Sequence, residues 1–414
     1  MLDLLRDLPG WMVMSLTFAL PVLFAPIRRS QSLLLAIWFT LGLHHAAAIV
    51  NCYLFLLPGA EEDARAMDAT AMGADYVHLL RNPYVLMLRA FYQSFGRSHL
   101  LGCELSVLAY SASVVVLVYL IRYLGSERWQ APMVLLFGSL PGAVFNCSVT
   151  LRESYQTLGI LLVIWCLVQV REGRPWYYLG MLVCVVALAQ LHNGLALFSL
   201  GVTAVSVIWG LRGSSAVAGL LIILVVLGAL WQRARILDAL AQHSAAVNSL
   251  AQGRLIQDAA SYRDFQAQDR ATYRARLDTS SVFGFLTTFP RVLFLYMFSP
   301  LPWQARGLKD LYAVAESLLR MALCLGALVN VRQSSRERRV KLLGVLIFFL
   351  TLEALWSIGT GNWGQAIRHR VVGWGLLVIC GAEPWLKLAS SGRRRGARKV
   401  AQPSPPSPEP ALAS

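Results

Sequence analysis

A chain of 414 residues that is 57% hydrophobic and only 14% charged is too apolar for a water-soluble protein and too long for a single membrane span. Its net charge of +15 does not mark a nucleic-acid binder. Lys and Arg gather in short segments between apolar windows and in the tail, as the positive-inside rule requires of a polytopic membrane protein, and not along one amphipathic face.

Apolar windows of roughly 17 to 25 residues, the length a helix needs to cross the hydrocarbon, recur from Trp11 to Leu388. The first, about Trp11 to Ile27, ends at Arg28 and Arg29. No basic region precedes Trp11 and no convincing small-residue cleavage site follows, so it reads as a retained span; Asp3, Arg6 and Asp7 before it and the arginines after it place the N-terminus outside. The second, about Leu33 to Leu57, carries His44 and His45 at mid-membrane, either as neutral histidines packed against other helices or as a proton relay.

The second span delivers an acidic stretch, Pro58 to Asp75, in a chain with few acids. Read as a helix, it sets Glu61, Asp68 and Asp75 seven apart on one face, while Asp63 looks elsewhere beside the membrane exit. A carboxylate there can act as a catalytic base or a metal ligand; the alternative is a helix whose charges only keep it in water. Asn82-Pro83 breaks the pattern, and Tyr84 to Phe95 reads as an aromatic helix lying in the interface.

Spans three and four, about Leu101 to Leu120 and Pro132 to Phe145, lead to Thr150-Leu151-Arg152-Glu153-Ser154. An Arg-Glu pair at a span boundary has to be wetted, paired or used. Span five goes in, span six comes out at His192-Asn193, and spans seven and eight, the latter about Val217 to Trp231, alternate in the same way. Residues 232 to 282, with seven arginines and five aspartates, read as an external subdomain of two helices broken near Gly253. If Phe283 to Trp303 crossed the membrane, Arg332, Arg336, Arg338, Arg339 and Lys341 would lie outside. Pro290, Pro300 and Pro302 make it an outer re-entrant or interfacial hairpin instead. Spans about Leu311 to Val331, Leu342 to Ile358 and Val371 to Leu388 complete the series, with Gly359 to Arg370 outside. Among the acids, only Glu104, Glu316 and Glu353 lie within or near spans, and each reads as a single group satisfied by packing.

The expected fold is all-α, with about eleven transmembrane helices and one outer hairpin. A transmembrane domain covers 1–388, with external loops at 58–100 and 232–282, and 389–414 is a disordered cytoplasmic tail, basic and then Pro/Ser-rich. The seven cysteines stand singly, without CxxC or Cys/His spacing, and read as small core residues and not as a disulfide frame or zinc site.

Every unusual polar group then faces one side: the acidic stretch, Arg152-Glu153, His192, the Arg-rich subdomain and Asn362 to Arg370. Arg368, His369 and Arg370 open the last span, where arginines grip phosphate oxygens with two-pronged contacts or simply anchor in the headgroups. Asp63-Ala64-Arg65-Ala66-Met67, with Ala71 after it, resembles the acidic first external loop of GT-C-type membrane glycosyltransferases, in which an Asp heads an Ala-rich amphipathic helix. Thr150 to Ser154 resembles the Arg-Glu boundary of their next external loop. Met297 to Trp303 and Gly361 to Arg370 resemble segments of membrane proteins from bacterial exopolysaccharide and O-antigen clusters. The similarity covers most of residues 40 to 388, although an extra span precedes the acidic loop and no large external domain follows the last span.

The resemblance implies a GT-C-like fold in the bacterial inner membrane and a polyprenyl-phosphate-linked sugar as donor, with Asp63 as the acidic residue and Glu153 as a second. The convergence adds Arg152, His192, Arg368, His369 and Arg370 as substrate- and phosphate-binding candidates. No organic cofactor is implied, a divalent metal stays open, and membrane lipid and other polysaccharide-assembly proteins are the expected partners. Two other readings stand beside it: a transporter or flippase of lipid-linked saccharide, and an inactive component of an assembly machine. Asp68 and Asp75 are expected to be dispensable surface charges.

Overall fold

The computed structural model describes residues 6–54, 61–73, 83–210 and 275–400, together with 257, 260, 261, 263 and 272. Among these the chain is all-helical, with one isolated antiparallel bridge between Thr272 and Asn362. The expected span at Val217 to Trp231, most of the subdomain at 232–282, Gly253, Asp75 and the tail beyond Val400 lie outside the described residues.

In chain order the helices are α1 (Leu8–Ala19), α2 (Gln31–Tyr53), α3 (Glu61–Met72), α4 (Pro83–Phe95), α5 (His99–Tyr123), α6 (Gln130–Gly138), α7 (Pro141–Cys147), α8 (Glu153–Arg171), α9 (Tyr177–Leu191), α10 (Asn193–Gly210), α11 (Val282–Phe298), α12 (Leu308–Gln333), α13 (Arg336–Gly359) and α14 (Trp363–Val400). Among the described residues, six are long and apolar enough to cross a membrane: α2, α5, α8, α12, α13 and α14. A seventh span results if the bent pair α6 and α7 is one crossing. Leu8–Leu23, Tyr177–Leu191 and Val282–Phe298 are shorter apolar helices. The basic stretch beyond Ser391 continues α14 as helix to Val400, where the sequence predicts the start of a tail.

Two helices form the axis of the bundle. The apolar window of α5 is 83% buried and that of α14 72%, against 39% for α12, so α5 and α14 are surrounded by protein while α12 turns one face outward. For α5, apolar on every side, the lack of a polar face accounts for this placement. Ser98 starts α5 by accepting the Leu101 N–H at 3.1 Å, the usual task of a serine at a helix start.

Two prolines behave differently. Pro141 opens α7 after an extended Leu140, and the pair α6 and α7 bends by 65°. The predicted fourth span is therefore broken, because proline disfavours helical backbone in the residue before it. Pro290, expected to interrupt its window, lies inside a continuous α11. There the hydroxyls of Thr287 and Thr288 donate to Phe283 and Gly284 carbonyls at 2.8–3.0 Å, the kind of local repair that lets an apolar helix tolerate proline.

α12 and α14 touch through bare backbone. A Cβ on Gly326 would stand 2.1 Å from the Gly381 carbonyl oxygen, and one on Gly381 2.1 Å from the Leu323 carbonyl oxygen. Around this contact Asn330 donates to Cys380 O and Trp385 to Ala322 O, both at 2.8 Å. Small residues at helix crossings permit this approach in membrane bundles. Gly381→Ala is expected to force the helices apart and destabilise the protein by about 1–3 kcal/mol, read as a lower unfolding temperature in detergent, whereas Gly344→Ala, in open space, leaves it unchanged.

The polar termini gather at two ends. At one, Glu383 of α14 accepts from Arg338 of α13, from Ser126 after α5 at 2.6 Å and from Lys387 at 2.7 Å, and Lys341 sits 4.6 Å over the Tyr123 ring. At the other lie α3, the turn 148–153, His192 and 360–370. All seven cysteines are free.

Candidate functional site

α3 lies across this second end on a stripe of small residues. Ala64 packs against Val149 and Leu151, and Ala71 joins Tyr84, Val85, Leu88 and Tyr92 of α4. The seven-residue spacing puts both alanines on one face, and their small side chains let α3 sit close to the bundle.

Asp68 pins the helix there. It accepts the Tyr92 hydroxyl at 2.5 Å and has His99 and Arg97 nitrogens at 3.8 Å. This corrects the expectation that Asp68 is a dispensable surface charge, since its partners come from α4, α5 and the link between them and no sequence pattern ties them to it. Burial opposes its ionisation, but the nearby His99, the Tyr92 hydrogen bond and the Arg97 charge outweigh it and hold the carboxyl below its usual range. A carboxyl depressed in the folded state stabilises fully above its unfolded value, about 3.9, and this contribution is lost as pH falls through the folded value. Asp68→Asn is expected to loosen α3 by about 1–3 kcal/mol at neutral pH, seen as faster hydrogen exchange over 61–72, and to remove the acid-linked part of that exchange.

On the other flank of α3, Asp63 meets Arg368, whose Nη1 donates to Asp63 Oδ2. The same guanidinium donates from Nε and Nη2 to Glu153 Oε1 at 3.1 and 2.8 Å. The two carboxylates differ in setting: the Asp63 side chain is 61% exposed and that of Glu153 2%. Glu153 is the first residue of α8, where the free backbone N–H groups of a helix start favour a negative charge. Its second oxygen is buried without a hydrogen-bond partner among the described residues.

Arg152 and the histidines build the wall beside this contact. Arg152 Nη1 donates to the Leu191 carbonyl at 3.0 Å, at the end of α9. His192 Nδ1 accepts the Gly194 N–H at 3.0 Å, so its proton is on Nε2. Burial, with the Arg152 charge adding to it, brings His192 down to about 3 and keeps the ring neutral. Its centroid is 4.3 Å from that of Trp356, which stacks on His369 at 4.0 Å and 21°. Thr360 Oγ1 donates to Trp356 O at 2.8 Å and is 2.9 Å from His369 Nδ1. With the hydroxyl hydrogen used, the Nδ1–H must be the donor to Thr360.

Arg370 does not join Arg368. Two residues along a helix turn the side chain by about 200°, and Arg370 is buried on the opposite flank, donating to Ser299 O at 2.6 Å and to Ser317 Oγ at 3.4 Å, its guanidinium 5.6 Å from the Tyr296 ring. The structure thus gathers Asp63, Glu153 and Arg368, with Arg152, His192 and His369 beside them, and sets Arg370 apart.

Three features escaped the sequence. Trp356 and Thr360 carry the ring stack, and buried Arg263 donates to Thr360 O at 3.2 Å. The acids within spans are also not all singles. Glu353 pairs with Arg320 at 2.6 Å and Glu104 with His45 at 2.7 Å, both fully buried, while Glu316 accepts the Gly142 N–H. His44 is satisfied on both nitrogens, by Gly138 O at 3.2 Å and Ser148 Oγ at 3.1 Å, as a packed histidine should be. Spacing along one helix gave no sign of these pairings because each joins two.

Among the described residues no group of three or more His, Cys, Asp or Glu is placed to hold a metal ion. Comparison with family models, with curated proteins and with solved structures finds no match for the chain. The site therefore has to be read from its own chemistry: an arginine fork shared between a buried and an exposed carboxylate, beside a neutral aromatic and imidazole wall.

Proposed function

We propose that the chain is a membrane glycosyltransferase or repeat-unit polymerase that uses a polyprenyl-phosphate-linked sugar in bacterial exopolysaccharide or cell-surface glycan assembly. The observation that carries this reading is the contact of Asp63, Arg368 and Glu153. Transfer from a lipid phosphate needs a cation for the departing phosphate and an acceptor for one proton, and these groups supply both within hydrogen-bond reach. Glu153, buried, holds the fork of Arg368 in place. Asp63, exposed, takes the proton of an incoming hydroxyl as the phosphate replaces it on Arg368. The Trp356–His369–His192 stack is the apolar wall against which a sugar would lie.

The reading includes a GT-C-like arrangement of about eleven spans, with Phe283 to Trp303 as an outer re-entrant or interfacial segment, in the bacterial inner membrane, with the N-terminus outside and the basic tail cytoplasmic. Clustering of Arg338, Lys341 and Lys387 at the end opposite Asp63 supports that orientation under the positive-inside rule. Cysteine labelling from outside is expected at Gly364 and not at Ser334; labelling at Ser334 would reverse the parity of the spans. The function is tested by analysing lipid-linked saccharides in a strain lacking the protein. Accumulated single repeat units indicate a polymerase, and a missing sugar indicates a transferase.

One observation favours transport of the lipid-linked saccharide instead. The Arg320–Glu353 pair lies within the span-forming parts of α12 and α13, where ionisable groups often line a path. Complete repeat units retained on the cytoplasmic leaflet would decide for that reading.

A further inference from the structure

Setting aside Glu153, Asp310 and Glu337 in the first two residues of their spans, four carboxyls of the described residues lie inside span-forming helices, and three have basic partners: Glu104 with His45, Glu353 with Arg320, and Glu383 with Arg338 and Lys387. Glu316 has no basic nitrogen within ion-pair distance. Its Oε1 accepts one hydrogen bond, from the backbone N–H of Gly142. It lies six residues into the span Asp310–Gln333, about 9 Å along the helix axis from its start.

The place is built for a close approach. The break between α6 and α7 frees the Gly142 N–H from helix bonding, and a Cβ at Gly142 would come 2.7 Å from Glu316 Oε2 and 3.0 Å from Oε1. Only glycine leaves room for the carboxyl. Beside it is a cavity of about 20 Å³, with Leu140, Ala143 and Ile367 on its apolar side and Glu316, Arg320 and Arg370 on its polar side. That is room for one water molecule.

We infer that Glu316 is a proton-binding site within the membrane, loaded through the water-sized cavity at the broken α6–α7 span. The step is a simple exchange: a hydronium ion in the cavity gives its proton to the carboxylate, leaving a neutral carboxylic acid and water. The groups facing Glu316 are Tyr312 and Arg320 on its own helix, Arg370 on α14, Tyr296 on α11 beside Arg370, and Glu353 on α13 behind Arg320. From α6 and α7 come only backbone and apolar side chains. Both arginines are held elsewhere, Arg320 by Glu353 and Arg370 by Ser299 and Ser317, so neither neutralises Glu316 directly. Loading a proton changes by one the charge set against these two arginines at a helix break. None of this depends on what the opposite flank of α14 transfers.

The test uses the full-length protein in liposomes and N,N′-dicyclohexylcarbodiimide, an apolar reagent that adds to protonated carboxylic acids. The acid adds across a carbon–nitrogen double bond and the acyl group shifts to nitrogen, giving a stable N-acylurea that retains every atom of both reactants. Peptide mass mapping is expected to find the adduct on Glu316, at a rate that falls about tenfold per pH unit above the midpoint of the carboxyl. Glu353→Gln keeps the labelling, Glu316→Gln loses it, and Gly142→Ala, which folds with the carboxyl displaced, changes its rate at least several-fold. A parent protein that stays unlabelled at Glu316 across pH 5 to 9, or labels there at a pH-independent rate, overturns the inference without recourse to any variant.

Discussion

Asp63→Asn is expected to fold, insert and bind the lipid-linked donor while its rate of product formation falls by about two to four powers of ten. The exposure of the residue separates the two effects. With 61% of its side chain in water, the ion pair with Arg368 contributes at most about 1 kcal/mol to stability, so a loss of activity would not be a loss of fold. Asn keeps the shape and one acceptor oxygen and removes the basicity. The measurement is incorporation of labelled sugar by purified protein in lipid, set beside its unfolding temperature. Parent-like turnover would eliminate Asp63 as proton acceptor and move the reading toward transport or scaffolding.

Arg368→Gln should instead unfold the site. It strands Glu153, a carboxylate with 2% exposure whose protein hydrogen bonds come from Arg368, and breaking a buried pair from one side costs roughly 3–5 kcal/mol. The sequence marks Arg368 as a phosphate-binding candidate; the burial of Glu153 makes it a structural residue as well. The double variant Arg368→Gln/Glu153→Gln, with no charge left unpaired, is expected to regain most of the lost stability and none of the activity. Thermal unfolding of the three proteins in one detergent checks both statements. Equal instability of the single and double variants would show that Glu153 does not depend on Arg368.

The apolar windows were legible because a bilayer tolerates little else: helices at about the expected places follow from composition. Legible too was the gathering of Asp63, Glu153 and Arg368 on one side, since charged groups collect at the ends of apolar helices, but not their direct contact. What sequence could not give was direction. Arg368 and Arg370 are near neighbours in the chain and face different helices, and Asp68 is an anchor only because Tyr92 and His99 arrive from two other elements. Nor could it grade the prolines: Pro141 starts a new helix and breaks a span, whereas Pro290 is absorbed by nearby threonine hydroxyls. The ring stack of Trp356 and His369 was hidden because the two residues come from different helices, each with ordinary neighbours.

The ties on Glu383 give the molecule a fixed pivot. Three donors, from the turn after α5, from α13 and from α14 itself, converge on that one carboxyl, so α14 is cross-tied to its neighbours at that end. Arg368 lies fifteen residues away along the same helix, about 22 Å by the helical rise. By the geometry of that arm, a tilt of α14 of about 5° about Glu383 would carry Arg368 some 2 Å sideways, far enough to part a guanidinium from a carboxylate. A displacement too small to disturb the packing near the pivot would thus be enough to make or break the Asp63 contact.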